Sequence, residues 1–189
     1  MMPIFMGFIF YPKSKRFVED DFQMPTVSSE IKKVGVFVND TLENISNKVK
    51  KHKLDFVQLH GDESVDITSK VFKTFDVMGV GIIKAFGIDE QFDFSLLKEY
   101  EDYSSYFLFD AKTSEYGGSG RKFDWDVLKN YKSSKLFFLS GGIDLIDIPL
   151  LADHYTNLFA VDVNSKFEIQ PGLKDINKLT LLKNELSGK

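Results

Sequence analysis

A chain of 189 residues that is 43% hydrophobic and 28% charged carries enough apolar material for a buried core, which excludes a disordered polymer. Its formal net charge of -4 argues against an extended nucleic-acid surface but leaves room for a local phosphate pocket. It contains no cysteine, so disulfides, thiolate metal centres and a cysteine nucleophile are excluded within these residues, and a reducing cytosol suits the composition.

The apolar opening from Met1 to Phe10 resembles a signal peptide in hydrophobicity alone. It has no basic segment before it and no small-residue cleavage site, and its charges (Lys13, Lys15, Arg16) come afterwards. No apolar stretch reaches membrane-spanning length. The expectation is a cytoplasmic protein.

Short β-rich runs recur at Met6–Tyr11, Val34–Val38, Phe56–Leu59, Val80–Ala85, Tyr106–Asp110, Leu136–Leu139 and Leu158–Val161. With Phe8, Val34, Phe56, Ile82, Phe107, Phe137 and Phe159 as markers, the separations are 26, 22, 26, 25, 30 and 22 residues. Each run is too short for a helix and apolar on both faces, as a strand buried in a parallel sheet should be. Between the first two, Pro25 interrupts any helix over Phe17–Ser29. After the second, Asp40 and Glu43 have the spacing of a capping box, followed by Leu42, Ile45 and Val49 on one helical face. Asp124 is placed to cap a segment in which Trp125, Leu128 and Tyr131 recur at helical spacing. Ile176, Leu179, Leu182 and Leu186 predict a last apolar stripe.

Alternating strands and helices imply a parallel sheet with right-handed crossovers, either a barrel or an open doubly wound sheet. No Gly-rich dinucleotide fingerprint follows the first strand, which weakens the open alternative. An eight-unit barrel uses about 250 residues, roughly 31 per unit, so this chain accounts for seven. The expected fold class is α/β, a (β/α)8 TIM barrel with about seven strands, in a single incomplete domain over residues 1–189.

The polar residues collect at one end of these runs: Tyr11-Pro12-Lys13, Asn39-Asp40, His60-Gly61-Asp62, Lys84, Asp110, Ser140-Gly141-Gly142 and Asp162-Val163-Asn164-Ser165. In a barrel the C-terminal strand ends form the face that carries active sites. Gly141-Gly142 and Asn164-Ser165, following the last two strands, suggest a phosphate cradle of backbone N–H groups, with a tight strand-to-helix turn as the alternative. Gly117-Gly118-Ser119-Gly120 reads as either a lid or an exposed surface loop.

Asp110 closes an apolar strand, where partial desolvation raises a carboxyl pKa and suits a proton donor, although Lys112 would oppose that shift. A helix cap or salt-bridge role is its alternative. Arg16 offers a planar fork for a carboxylate, or simply a solvated charge. His60 is placed to titrate near neutrality or to serve as a hydrogen-bonded structural residue, while His52 and His154 fall on helical patterns and are expected in solvent. The abundant phenylalanine reads as core filler.

The segments GFIFYPKSKRFV (Gly7–Val18), VGVFVND (Val34–Asp40) and VQLHGDES (Val57–Ser64) resemble phosphoribosylanthranilate isomerase, a barrel enzyme of tryptophan biosynthesis. The likeness continues through IIKAF (Ile82–Phe86), LFDAK (Leu108–Lys112), GGSGRKFDW (Gly117–Trp125), LSGGI (Leu139–Ile143) and Val161–Asp175. The resemblance implies an Amadori rearrangement of N-(5-phosphoribosyl)anthranilate without metal or redox cofactor. It makes Asp110 the general acid and sets Arg16 against the anthranilate carboxylate. It assigns the phosphate to the Gly141-Gly142 and Asn164-Ser165 loops, and the cover to Gly117–Gly120.

Two departures accompany it. Family members begin with a strand ending in Cys-Gly, then a helix, and that cysteine is the general base; this sequence shows neither, which leaves His60 as a substitute candidate. Lys166 stands where many relatives have glycine. The expectations are therefore an impaired isomerase that recognises a small-molecule substrate, without nucleic acid or membrane partners, and an open barrel edge available for self-association. The expected reason for the missing unit is a translation start assigned too late, with a naturally shortened relative as the alternative. The alternatives are a non-catalytic barrel that binds a phosphorylated metabolite and another sugar-phosphate isomerase or epimerase.

Overall fold

The computed structural model describes residues 3–19, 21–112 and 122–187, and forms two compact units. One comprises Met2–Ala85 with Leu97–Tyr106, the other Phe86–Leu96 with Phe107–Lys189. The main strands are β1 (Phe5–Ile9), β2 (Lys32–Phe37), β3 (Phe56–Leu59), β4 (Gly81–Ile88), β5 (Tyr106–Ala111), β6 (Phe137–Leu139) and β7 (Leu158–Val161), and their sheet order is the chain order. All seven β-rich runs of the sequence are therefore strands, with ends shifted by up to three residues.

In the first unit β1, β2, β3 and β4 pair in parallel, with Phe8 beside Gly35, Val34 beside Phe56, and Val57 beside Ile82. Helix α1 (Leu42–His52) follows β2, and α2 (Val65–Phe75) follows β3. The cap of α1 is Thr41, one residue later than the capping-box spacing suggests. The Thr41 hydroxyl accepts from the Asn44 N–H at 3.2 Å, while the Asp40 carboxylate takes the Thr41 N–H at 2.7 Å and the Asn44 side chain at 2.6 Å. Ile45 and Val49 are buried, but Leu42 lies in the first turn and is exposed. Phe37, Val57, Phe75 and Ile82 form the centre of this unit's core, all fully buried.

His52 overturns an expectation. It is 4% exposed, because its ring stacks on Phe10 at 5.3 Å and lies against Phe22 at 5.8 Å. Burial, helped by Lys51, Lys48 and Lys33, holds its pKa below the ordinary histidine value. The His154 side chain lies outside the described part of the structure.

In the second unit β5, β6 and β7 are also parallel, with Phe109 beside Leu139 and Leu139 beside Val161. Phe109 and Phe137 pack at 4.9 Å and both meet Tyr131, so the phenylalanines are core filler as composition suggests. Asp124 does cap the next segment, accepting from the Asp126 N–H, but Trp125–Asn130 is a 3-10 helix. Helix α3 (Ile148–His154) precedes β7; a short antiparallel pair, β8 (Glu168–Gln170) and β9 (Leu173–Lys174), then leads to α4 (Ile176–Ser187). The apolar stripe of α4 is buried only at its middle: Leu182 is 7% exposed, whereas Ile176 is 69% and Leu186 40% exposed.

The described residues between 17 and 29 form no helix, in keeping with Pro25. Phe17 instead makes a parallel bridge with Ile9, and the Val18 N–H donates to the Ile9 carbonyl at 2.9 Å. The edge of β1, expected to be bare, is thus covered at its C-terminal end by the chain's own return. No helix among the described residues is long and apolar enough to cross a membrane.

Candidate active site

In the second unit Asp110 sits on β5, half-buried, with Oδ1 accepting from the Ala111 N–H at 2.8 Å. The Lys112 ammonium is engaged elsewhere, 2.6 Å from Asp89 Oδ2. The loop after β6 passes directly beside the Asp110 carboxylate. Gly141 has φ +92°, and a Cβ there would lie 2.9 Å from the Ala111 nitrogen and 3.0 Å from Asp110 Oδ1. Both the backbone angle and the approach require glycine. Gly142 also has positive φ, +63°.

The helix that follows has its own carboxylates at its start. Asp144 caps Leu145–Asp147, and the Asp147 side chain accepts from the Asp144 N–H at 2.7 Å. Asp147 is in turn paired with Lys122 at 2.6 Å. The N-terminus of this helix is thus already occupied by its own carboxylates.

After β7 the chain is held by Lys174, which the sequence pattern did not single out. Its Nζ donates to the Val163 carbonyl and to Asn164 Oδ1, each at 2.8 Å, and pairs with the buried Glu168 carboxylate at 3.2 Å. The Asn164 amide donates to Asp162 Oδ1 at 3.1 Å. Fully buried Phe167 anchors the turn, while Ser165 is exposed. The structure thus brings Asp110 and Gly141 together and places Asn164 and Ser165 on the loop after β7. The expected lid, Gly117–Gly120, lies outside the described residues.

In the first unit Arg16 is half-buried in the turn after β1, where its N–H donates to Ser14 Oγ at 3.1 Å. His60 follows β3. Its ring Nδ1 lies 2.6 Å from the buried Gln58 side-chain amide.

Lys84 and Glu63, also missed as site residues, form a buried ion pair at 3.0 Å, 3% and 2% exposed. Burial pulls the Lys84 ammonium below the ordinary lysine range, and the Glu63 charge and hydrogen bond oppose that pull. The available signal was a lysine inside an otherwise apolar strand. No group of three His, Asp or Glu side chains among the described residues is arranged to hold a metal ion.

A carboxylic acid at a parallel-strand end with a glycine loop packed on it is the layout of an α/β enzyme. Two solved phosphoribosyl anthranilate isomerases share the fold over 98% of this chain: that of Thermus thermophilus, with TM-score 0.80, 24% identity and 88% of its chain covered, and that of Thermotoga maritima, with TM-score 0.78, 31% identity and 89% covered. The fold is thus that of the (β/α)8-barrel class. The family model for N-(5'-phosphoribosyl)anthranilate isomerase matches residues 2–185. The N-(5'-phosphoribosyl)anthranilate isomerase of Parabacteroides distasonis is 47% identical over 179 residues, covering 92% of this chain and 79% of that protein. The chain belongs to the N-(5'-phosphoribosyl)anthranilate isomerase family. A further solved member, TM-score 0.74 and 27% identical over 98% of this chain and 88% of its own, is in complex with reduced 1-(o-carboxyphenylamino)-1-deoxyribulose 5-phosphate.

Proposed function

We propose that this chain is a phosphoribosylanthranilate isomerase of tryptophan biosynthesis in the cytoplasm, with Asp110 as general acid. The carboxyl group protonates the furanose ring oxygen, and the C1′–O bond breaks to give an iminium ion. Loss of the C2′ proton to a base forms an enolamine, which tautomerises to the ketone. The Gly141-Gly142 and Asn164-Ser165 loops hold the phosphate, Arg16 meets the anthranilate carboxylate, and Gly117–Gly120 covers the bound molecule. The observation that supports the reading is Gly141, whose positive φ and close approach put the loop after β6 against the Asp110 carboxylate.

The base that the resemblance names is a cysteine, and these 189 residues contain none. Binding is therefore a better test than turnover. Calorimetric titration with reduced 1-(o-carboxyphenylamino)-1-deoxyribulose 5-phosphate should show one site, weakened about ten- to hundredfold by Arg16→Ala through loss of a charge-assisted contact. Heat no larger than that of inorganic phosphate alone, in both proteins, would refute the reading. Among the described residues the strand order ends at β1 and β7, with β1 bridged by Phe17 near Ile9, which supports self-association along the remainder of these edges. Light scattering that returns a monomer at every concentration refutes that part.

A further inference from the structure

Burying an ion pair is a poor route to stability, since apolar residues of similar size often do as well or better. The Lys84–Glu63 pair must be judged by what else it holds. Lys84 projects from β4, and its Nζ donates to the Gly61 carbonyl at 2.8 Å, the Ala85 carbonyl at 3.0 Å and the Leu59 carbonyl at 3.4 Å, as well as to Glu63. Glu63 Oε1 accepts from the Asn39 N–H at 2.8 Å, and the Gly61 N–H is shared between Oε2 at 3.0 Å and Oε1 at 3.2 Å. One ammonium and one carboxylate therefore tie together the ends of β2 and β3 and the middle of β4.

The tied backbone has little slack. Asn39 is in the left-handed region with φ +49°, and its Oδ1 accepts from the Asp62 N–H at 2.9 Å. A Cβ on Gly61 would meet that same Oδ1 at 2.5 Å. His60 lies within this arrangement, its N–H donating to the Phe37 carbonyl at 2.8 Å. An apolar pair could fill the same space but could not satisfy two loop N–H groups and the loop carbonyls at once.

We propose that Lys84 and Glu63 are positioning residues of the isomerase, which fix the loops carrying Asn39 and His60 in the ligand-binding geometry. The proposal rests on the isomerase reading above. Neither side chain is assigned contact with the substrate; they act through the loop backbone.

The test compares the parent chain with Lys84→Met, Glu63→Gln and the double variant Glu63→Leu/Lys84→Met. Three quantities are read: the melting temperature, amide exchange at Asn39 and Gly61, and the Kd of reduced 1-(o-carboxyphenylamino)-1-deoxyribulose 5-phosphate. Lys84→Met should lose stability because Glu63 is left buried without its cation. The double variant orphans no charge and should regain most of that stability. Its Asn39 and Gly61 amides should nevertheless exchange faster than the parent's, and the ligand should bind roughly ten-fold more weakly, as expected when a supporting shell is loosened. A purely structural pair gives the opposite: stability, amide protection and affinity all return together in the double variant, and that result overturns the proposal. Should the double variant not fold, Glu63→Gln decides, because its amide puts an NH2 donor where Oε2 accepts from the Gly61 N–H and the Lys84 ammonium. Parent-like exchange and affinity in Glu63→Gln overturn the proposal, and faster exchange with weaker binding upholds it. A parent that does not bind the ligand refutes the isomerase reading instead. The positioning claim is then judged by exchange at Asn39 and Gly61 alone: unchanged exchange in the variants overturns it.

Discussion

Alanine at Gly141 and alanine at Gly172 impose the same kind of backbone strain but differ in what the added methyl meets. Gly172 has φ +84° with nothing within 4 Å of an added Cβ, so Gly172→Ala carries only the cost of a left-handed L-residue, about 1–2 kcal/mol. Gly141, at φ +92°, adds approaches of 2.9 Å to the Ala111 nitrogen and 3.0 Å to Asp110 Oδ1. Overpacking of that kind costs about 1–3 kcal/mol more, for a total of about 2–5 kcal/mol. At about 2–4 °C per kcal/mol for a chain of this size, Gly172→Ala should melt about 2–8 °C below the parent and Gly141→Ala about 4–20 °C below it. The clash also has a direction. The backbone nitrogen cannot move far, so relief comes from turning the Asp110 carboxylate off the Ala111 N–H or from displacing the loop. Either change weakens ligand binding, which Gly172→Ala should leave intact. Thermal melts and titration of inorganic phosphate on both variants decide the matter. Equal melting temperatures, with phosphate affinity unchanged in Gly141→Ala, would refute the argument that this loop and the carboxylate form one site.

Three further outcomes are expected. His52 has a folded-state pKa below its unfolded value of about 6.5. Its contribution is therefore complete above that pH and declines as pH falls toward the folded value, because the unfolded chain binds the proton first. Urea midpoints measured across this range should flatten in His52→Phe, and an unchanged pH slope would remove His52 as the cause. Thr41→Ala should cost about 1 kcal/mol in urea denaturation through loss of the α1 cap, and no loss would return that role to Asp40. A polypeptide of these 189 residues should turn over roughly 10²–10⁴-fold more slowly than relatives that carry the cysteine base. Equal turnover would contradict this and make His60 the first replacement to test.

Strands β3 to β6 were legible because a strand buried on both faces leaves a nearly uninterrupted apolar run, while β1 and β7 carry similar runs but are only partly buried. The polar residues that end each run mark one end of the parallel sheet. Asp110, Gly141 and Asn164 could be placed at strand ends for the same reason. What the linear pattern could not supply was the partner of each polar group. Nothing in the spacing of Asp40, Thr41 and Glu43 tells which oxygen reaches the Asn44 N–H, because the choice depends on where the chain turns out of β2. His52 occupies a helical position that pattern alone assigns to solvent, yet Phe10 and Phe22, distant in sequence, enclose it. In the same way, Lys84 is visible in the sequence only as one of the polar residues toward the ends of the apolar runs. Its role depends on Glu63, Gly61 and Asn39 being brought within hydrogen-bond distance by the register of three parallel strands. Local chemistry determined which segments become strands and which residues end them. Tertiary structure decided which charges are buried and what they hold, because desolvation and hydrogen bonding depend on neighbours that only folding assembles.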